Sequence, residues 1–208
     1  MNKARKKLPD DFNVNTIVNE LFTKQTRYGN ETPVGIYYKI IQRIDTTDEN
    51  LVTNPHFIKD VREFFVIKRR TCEFIVNFCS LIRVIRNQYE CYDIHRASEM
   101  LSNFSKSTNE ISFASKLLNL ADPEHSFVIY DRNVRMCFGL ENINSYERLN
   151  DEFNNFKNKI QSGSQEKLCV EYRRFISVFD KRLEDSGIIL SENKKIDFYL
   201  WEMAKHLE

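Results

Sequence analysis

Apolar residues recur along this chain at intervals of three and four positions, the spacing that places them on one face of an α-helix. They do not follow the alternating pattern of a half-buried strand. Only five glycines and four prolines interrupt the 208 residues, so long helices with short connections are favoured. The pattern predicts an all-α fold, a compact multi-helix domain of about ten helices.

Several predicted helices begin at a residue that can cap the helix N-terminus. Thr32 and Asn54 are each followed directly by proline and then by an apolar helical face, and Asp93 precedes a similar face. Asn144 with Glu147 resembles a capping pair at the start of a later helix. These positions predict where four of the helices begin.

The division of the chain into domains follows from its apolar segments. Residues 72–85 are so apolar that they form either a buried helix or a strand, and we favour the helix. Residues 162–164, Ser-Gly-Ser, are the clearest break and can be read as a linker, but the helices beyond them are amphipathic and need a partner. We therefore predict a basic flexible tail at 1–10 and one helical domain at 11–208.

Composition limits the classes of function. The 31 basic and 30 acidic residues give a formal charge of +1, so no global field draws the chain to nucleic acid or to an anionic membrane. No run approaches the roughly 20 apolar residues that a membrane span needs, and the N-terminus lacks the apolar centre of a secretory signal. Cytoplasmic localisation without a membrane partner is expected. The five cysteines lie mostly in apolar helical stretches, so disulfides are not expected.

Local basic clusters are the remaining route to phosphate binding. For each cluster a solvated helix face is the default interpretation and a phosphate contact is the alternative. The clusters are Lys3 with Arg5, Lys6 and Lys7; Lys68, Arg69 and Arg70; Arg83 with Arg86; Arg173 with Arg174; and Lys194 with Lys195.

The stretch 111–139 carries the most specific pattern in the chain. It begins as an apolar-faced helix and continues through a short extended apolar run at 127–129. Asp131 follows at a position suited to cap another helix, which ends at Gly139, a natural left-handed stop. Backbone N–H groups near Asn133 and the positive end of the helix dipole both favour a charged Asp131 carboxylate.

This stretch resembles the helix-hairpin-helix superfamily of base-excision DNA glycosylases. The resemblance rests on the helix, the extended segment and the phrase Asp131-Arg132-Asn133-Val134-Arg135, with weaker support from residues 196–201. It implies a glycosylase-like fold and hydrolysis of the N-glycosidic bond of a damaged or modified base, for example in DNA repair or in foreign phage DNA. Asp131 would stabilise the oxocarbenium-like transition state while water attacks.

The resemblance also implies further site residues. Bifunctional members place a nucleophilic lysine early in the preceding helix, and the matching position here is Ser112, which indicates a monofunctional enzyme. Lys116 lies one turn later and is a weaker candidate for amine chemistry. The partner would be double-stranded DNA with a base flipped into a pocket of aromatic rings. The candidate pocket residues are Tyr37, Tyr38, Phe113, Tyr130 and Trp201.

In that superfamily, glycines of the hairpin let backbone N–H groups bind a DNA phosphate. This chain has no glycine between Gly35 and Gly139. We expect side-chain hydrogen-bond donors to contact the DNA phosphate backbone instead. The candidates are Lys106, Ser107, Thr108 and Asn109 of the hairpin position, with Arg132, Asn133 and Arg135.

No cofactor is expected. The histidines lack ligand spacing, and the cysteines do not match an iron–sulfur pattern, so no metal site is predicted. A different class of function stays open, a non-catalytic helical module that binds nucleic acid or protein on a glycosylase-derived scaffold.

Overall fold

A computed structural model describes residues 8–9, 12–24, 31–46, 51–65, 67, 70–105, 110–122, 124 and 126–207. The chain divides into two compact units. Unit 1 comprises Met1–Glu20 and Val128–Glu208, and unit 2 comprises Leu21–Phe127. Within the described ranges every regular element is helical and no strand occurs, so the all-α prediction is confirmed.

Three helices of unit 2, α2, α3 and α5, begin at the predicted caps. Thr32 Oγ1 accepts a hydrogen bond from the backbone N–H of Gly35, and Asn54 Oδ1 accepts one from the N–H of His56. Asp93 likewise accepts from the N–H of Arg96. The helices are α2 Pro33–Asp45, α3 Pro55–Phe64, α4 Cys72–Arg86, α5 Ile94–Ser102 and α6 Ile111–Ala121, preceded by α1 Val14–Thr23, which crosses the unit boundary.

Helix α4 settles the choice left open at 72–85 in favour of a helix. Thr71 caps it by accepting from the N–H of Phe74, and the helix buries one broad apolar face. Helix α6 packs against both α4 and α5. The predicted helix at the start of the 111–139 stretch is thereby confirmed and lies in the core of unit 2.

Unit 1 contains the four remaining α-helices of the described residues. They are α7 Arg132–Cys137, α8 Tyr146–Gln161, α9 Lys167–Asp185 and α10 Glu192–Met203, followed by a 3₁₀ turn at Ala204–His206. Helix α10 packs against α7 and α9, and α8 packs against α9. Because α10 has neighbours on several sides, most of its residues are buried, including the charged residues Lys194, Asp197 and Glu202.

Two predicted boundaries in unit 1 can be compared with the structure. Gly163 adopts φ 73°, a left-handed conformation that ends α8, and both helices flanking 162–164 belong to unit 1. This break is therefore a turn inside one unit. The capping pair of Asn144 and Glu147 was wrong by one position, because Ser145 is the N-cap of α8 and its Oγ accepts from the N–H of Arg148.

A membrane span would require a long apolar helix, and no helix of the described residues meets that requirement.

Candidate functional site

The candidate site in unit 1 starts where the extended segment 128–130 enters α7. Asp131 is the N-cap, with extended backbone dihedrals, and its Oδ1 accepts a hydrogen bond of 2.7 Å from the N–H of Asn133. Its carbonyl accepts the first helical bond from the N–H of Arg135. The predicted cap is confirmed, and the carboxylate is held in place while remaining partly exposed.

The end of α7 also follows the prediction. Gly139 has φ 71°, and its N–H donates to the carbonyl of Met136 at 3.1 Å. The N–H of Leu140 reaches back to the carbonyl of Arg135 at 2.8 Å. These bonds satisfy carbonyls that the helix end would otherwise leave without donors.

Helix α10, which packs against α7, carries a buried ion pair. Lys194 Nζ lies 2.7 Å from Asp197 Oδ2, and the Lys194 side chain has no exposed surface. Within the described part of the chain, no hydrogen-bond donor reaches Asp197 Oδ1. Burial raises the pKa of Asp197, the Lys194 ammonium opposes that rise, and the nearby Asp131 carboxylate adds to it. Asp131 and Asp197 are therefore electrostatic neighbours.

The same burial lowers the pKa of Lys194, and Asp197 opposes that change. Both partners are thus pushed toward their neutral forms, as expected for charges removed from water. Whether the proton lies on Lys194 or on Asp197, the pair carries no net charge. The negative charge of Asp131 is consequently not cancelled by this pair.

The pattern of the sequence did not single out this pair. It placed Lys194 in a basic cluster with a solvated face as the default, and this is wrong because Lys194 is completely buried. The detectable signal was the absence of a clear polar face on α10, where charged residues alternate irregularly with apolar ones.

A hydrogen bond also joins α7 to α10. The Cys137 thiol lies 3.1 Å from the carbonyl oxygen of Leu200 and 3.4 Å from that of Asn133. This contact helps to hold the short helix that Asp131 caps against the helix that carries Asp197.

Arg135 is occupied by internal contacts. Its Nη1 donates to the carbonyl of Ile143 at 3.1 Å and to the Tyr130 hydroxyl at 3.3 Å, and its guanidinium carbon lies 4.6 Å from the centre of the Tyr130 ring. These contacts engage Nη1 and one face of the guanidinium, and the phosphate contact of Arg135 stays a prediction. Arg132 is exposed and Asn133 half-buried, so these two remain accessible among the predicted DNA contacts of α7.

Two of the predicted aromatic residues lie in unit 1. Tyr130 is half-buried, and its hydroxyl donates to the carbonyl of Ile143 at 3.2 Å. Trp201 is also half-buried, and the Lys205 ammonium lies 3.9 Å from its ring centre. Both rings keep some accessible surface in the unit that carries Asp131.

The other predicted site residues lie in unit 2. Tyr37 has no exposed surface and packs 5.1 Å from the Phe64 ring, so it belongs to the core and we remove it from the proposed pocket. Tyr38 and Phe113 are half-buried. Lys116 Nζ lies 4.9 Å from the Phe113 ring centre, a cation–π contact. Ser112 accepts the Ser115 hydroxyl through its backbone carbonyl.

Arg70, from another predicted basic cluster, is also occupied. Its Nη2 contacts both oxygens of the buried Glu110 at 2.6 and 2.7 Å, and its guanidinium stacks near Phe74 and Phe113. The remaining hairpin candidates, Lys106, Ser107, Thr108 and Asn109, lie outside the described residues, as do Lys68, Arg69 and the tail cluster at 3–7.

Comparisons with protein-family models, with curated proteins and with solved structures gave no significant match to this chain. The residues and geometry within each unit are therefore the basis for assigning a function.

Proposed function

We propose that the chain hydrolyses the N-glycosidic bond of a damaged or modified base in DNA, with Asp131 as the catalytic carboxylate and water as the nucleophile. The observation that carries this proposal is the position of Asp131, a partly exposed carboxylate held at the start of α7, the helix that packs against the α10 carrying Lys194 and Asp197. The resemblance of residues 111–139 to glycosylases supplies the reaction class.

The chemistry requires a fixed negative charge near the sugar. Departure of a base builds positive charge on the deoxyribose ring, and a carboxylate that is already oriented stabilises that charge without reorganisation. Asp131 is oriented by the hydrogen bond from the Asn133 N–H. The buried pair behind it is neutral overall, so the full negative charge of Asp131 is available to the transition state.

Asp197 supports this arrangement as a positioning residue. Its charge lies close enough to Asp131 to interact with it, and its own position is held by the Lys194 ammonium at 2.7 Å. Because the pair of Lys194 and Asp197 is neutral overall, its influence on Asp131 is that of a fixed dipole and not of a second negative charge.

By the resemblance, Ser112 matches the position at which bifunctional glycosylases have a nucleophilic lysine. A serine there supports a hydrolytic reaction without a covalent amine intermediate. A hydroxyl group cannot form the Schiff base that a bifunctional enzyme needs. The amine of Lys116 lies against aromatic rings of unit 2, 5.8 Å from the Phe65 ring centre and 4.9 Å from that of Phe113. We therefore assign water as the nucleophile and expect an uncut abasic site as the product.

The test is base release from duplexes that carry damaged, mismatched and hypermodified bases, read as alkali-sensitive breaks. Asp131→Asn is the central variant because asparagine caps helices as well as aspartate does, so the fold is retained while the charge is lost. Loss of at least about 100-fold in rate is expected, the scale on which single electrostatic stabilisers act. Asp151→Asn, an exposed position on α8, is the matched control.

Wild-type rates retained by Asp131→Asn would overturn the proposed mechanism. Strand breaks that appear before alkali treatment would contradict the monofunctional assignment. Trapping a covalent product with borohydride would contradict it in a second way, because reduction captures a Schiff base.

A second function is favoured by one sequence observation, the absence of glycine between Gly35 and Gly139. Without hairpin glycines the backbone N–H groups cannot approach a phosphate closely. In that case the chain is a non-catalytic nucleic-acid- or protein-binding module. Salt-dependent binding of duplex DNA, with no base released from any substrate and no effect of Asp131→Asn, would select the DNA-binding form of this function.

A further inference from the structure

A second cluster of ionisable side chains lies in unit 1, at the opposite end of α10 from Lys194. It comprises Glu20 of α1, Glu202 near the end of α10 and His206 of the 3₁₀ turn that follows. Each offers one oxygen or nitrogen atom, and these three atoms lie within 4.8 Å of one another. Residues separated by more than 180 positions in sequence are thus brought to one point.

Two atoms of the cluster lack the partners that buried polar atoms normally have. Glu202 is 1% exposed, and among the described residues no hydrogen-bond donor contacts its Oε1. Burial and the contact with the Glu20 carboxyl raise the pKa of Glu202 from 4.5 to about 7, so without an ion the two carboxyl groups compete for one proton. His206 Nε2 is also buried and, in the same part of the chain, has no partner. A buried polar atom without a partner costs about 1–3 kcal/mol, so two of them in one cluster require an explanation.

We propose that Glu20, Glu202 and His206 bind one divalent transition-metal ion of the Zn²⁺ or Mn²⁺ class. The ion would supply the missing partner for both buried atoms. This site is independent of the reaction proposed for Asp131, and it departs from the sequence-based prediction of no metal site.

Charge favours a cation at this point. Glu202 Oε2 is 2.5 Å from Lys205 Nζ, but Lys205 supplies one positive charge against the two carboxylates. The Lys205 ammonium is also shared with the Trp201 ring, 3.9 Å away. Without an ion, a proton on Glu202 offsets part of this charge near neutral pH, because the pKa of Glu202 is raised to about 7 by burial and by the Glu20 contact. A divalent ion would replace that proton and reduce the repulsion between the two carboxylates.

The donor set selects the class of ion. Mg²⁺ and Ca²⁺ prefer sets made of oxygen atoms alone, whereas two carboxylates with one imidazole suit Zn²⁺, Mn²⁺ or Fe²⁺. Bond lengths to Zn²⁺ are about 2.0–2.2 Å, so small side-chain rotations bring three atoms at these separations onto one ion. Three protein ligands leave a further coordination position for water.

The contacts around the cluster suit a metal site that connects α1 with the end of α10. The Phe12 ring, just before α1, packs edge-on against the His206 ring with centroids 5.8 Å apart. An ion at the cluster would therefore join α1 to the C-terminal end of α10 inside unit 1.

The experiment titrates the full-length, chelator-treated protein with Zn²⁺ and separately with Mn²⁺, using calorimetry and thermal unfolding. We expect one ion per chain and a melting temperature that rises by several degrees, because the ion binds the folded state selectively. Mg²⁺ at the same concentration should bind at least about tenfold more weakly. Co²⁺ in place of Zn²⁺ provides a visible absorption band that reports directly on the ligands.

The variants Glu202→Gln and His206→Gln should each weaken Zn²⁺ binding by at least about 100-fold, since each removes a ligand. His206→Gln is the safer variant because its half-buried position near the C-terminus tolerates change, and circular dichroism verifies its fold. Glu184→Gln and His95→Gln, at exposed positions, are the matched controls and should bind Zn²⁺ as the wild type does.

Two outcomes would overturn the site. One is the absence of Zn²⁺ and Mn²⁺ binding to the wild type at millimolar concentrations. The other is binding that His206→Gln and Glu202→Gln leave unchanged, which would move the ion to other donors such as the exposed thiols of Cys72 and Cys91.

Discussion

The variant Lys194→Met tests whether the ion pair of Lys194 and Asp197 is as buried as the structure shows. Methionine keeps the length of the lysine side chain and removes its charge. Asp197 then loses its partner at 2.7 Å, and its Oδ1 has no donor among the described residues. Removing one member of a buried pair costs about 3–5 kcal/mol, because the other charge stays uncompensated in the interior. We expect a loss of that size at neutral pH.

The pH dependence of the loss has a definite sign. The pKa of Asp197 is raised by burial, and removal of the Lys194 ammonium raises it further. The Asp197 carboxyl of the folded variant therefore binds a proton more tightly than the same group in the unfolded chain, and proton binding stabilises the fold. This stabilisation is complete below the unfolded pKa of about 3.9 and is lost as the pH rises through the raised pKa. The loss of unfolding free energy caused by Lys194→Met should therefore become smaller toward acidic pH.

The variant Asp197→Leu should show the opposite trend. Burial lowers the pKa of Lys194, so the unfolded chain binds the lysine proton more tightly than the folded one. Stability then increases as pH rises from the lowered pKa toward the unfolded value of about 10.4. The deficit of Asp197→Leu should shrink toward alkaline pH.

The double variant Lys194→Met with Asp197→Leu completes the cycle. Replacing both partners by apolar residues is often neutral or stabilising, so the double variant should be more stable than either single one. Urea unfolding followed by far-UV circular dichroism at about pH 5, 7 and 9 measures all four proteins, and Lys181→Met at an exposed position is the control. The reasoning would be refuted if each single variant lost less than about 1 kcal/mol of unfolding free energy and the two losses added in the double variant, because exposed ion pairs behave in that way.

Four further predictions concern the two units. Burial raises the pKa of Cys79 from 9.0 to about 12, so wild-type stability should fall above about pH 9 by up to 1.4 kcal/mol per pH unit, and urea melts of Cys79→Ala should show a shallower alkaline slope. Arg70→Met removes both guanidinium contacts of the buried Glu110 carboxylate, which keeps the Ser105 hydroxyl as a donor, and should cost about 3 kcal/mol in urea unfolding. Phe179→Ala, in the aromatic core of unit 1, should cost a similar 3–5 kcal/mol, roughly, by the same assay. Ile189→Ser, at a residue 89% exposed, should change the free energy of unfolding by less than about 0.5 kcal/mol.

Features determined by neighbouring residues were predictable from the sequence. Caps at Thr32, Asn54, Asp93 and Asp131 are present because a short polar side chain bonds to an N–H two or three residues later. The stop at Gly139 depends on the one residue type that adopts positive φ without strain. Such signals require no knowledge of the rest of the fold.

Features determined by packing were not predictable in the same way. The sequence does not show that Arg135 contacts the carbonyl of Ile143 and the ring of Tyr130, because these come within its reach only once the loop after α7 folds back. Lys194 was expected to be solvated, but α10 has α7 and α9 as neighbours and leaves no water around the ammonium. A lone sequence does not reveal which helix will be surrounded.

Helix α10 links the two proposals made for this chain. It carries Lys194 and Asp197 beside Asp131 and, at its other end, Glu202. Three charged residues buried on one helix oppose folding, because each must be desolvated, and well-packed apolar residues would stabilise unit 1 more. If these charges were purely structural, the apolar double variant at 194 and 197 would leave base release intact. If Asp197 positions Asp131, the same variant should gain stability and lose activity, so the two measurements on one protein separate a structural charge from a functional one.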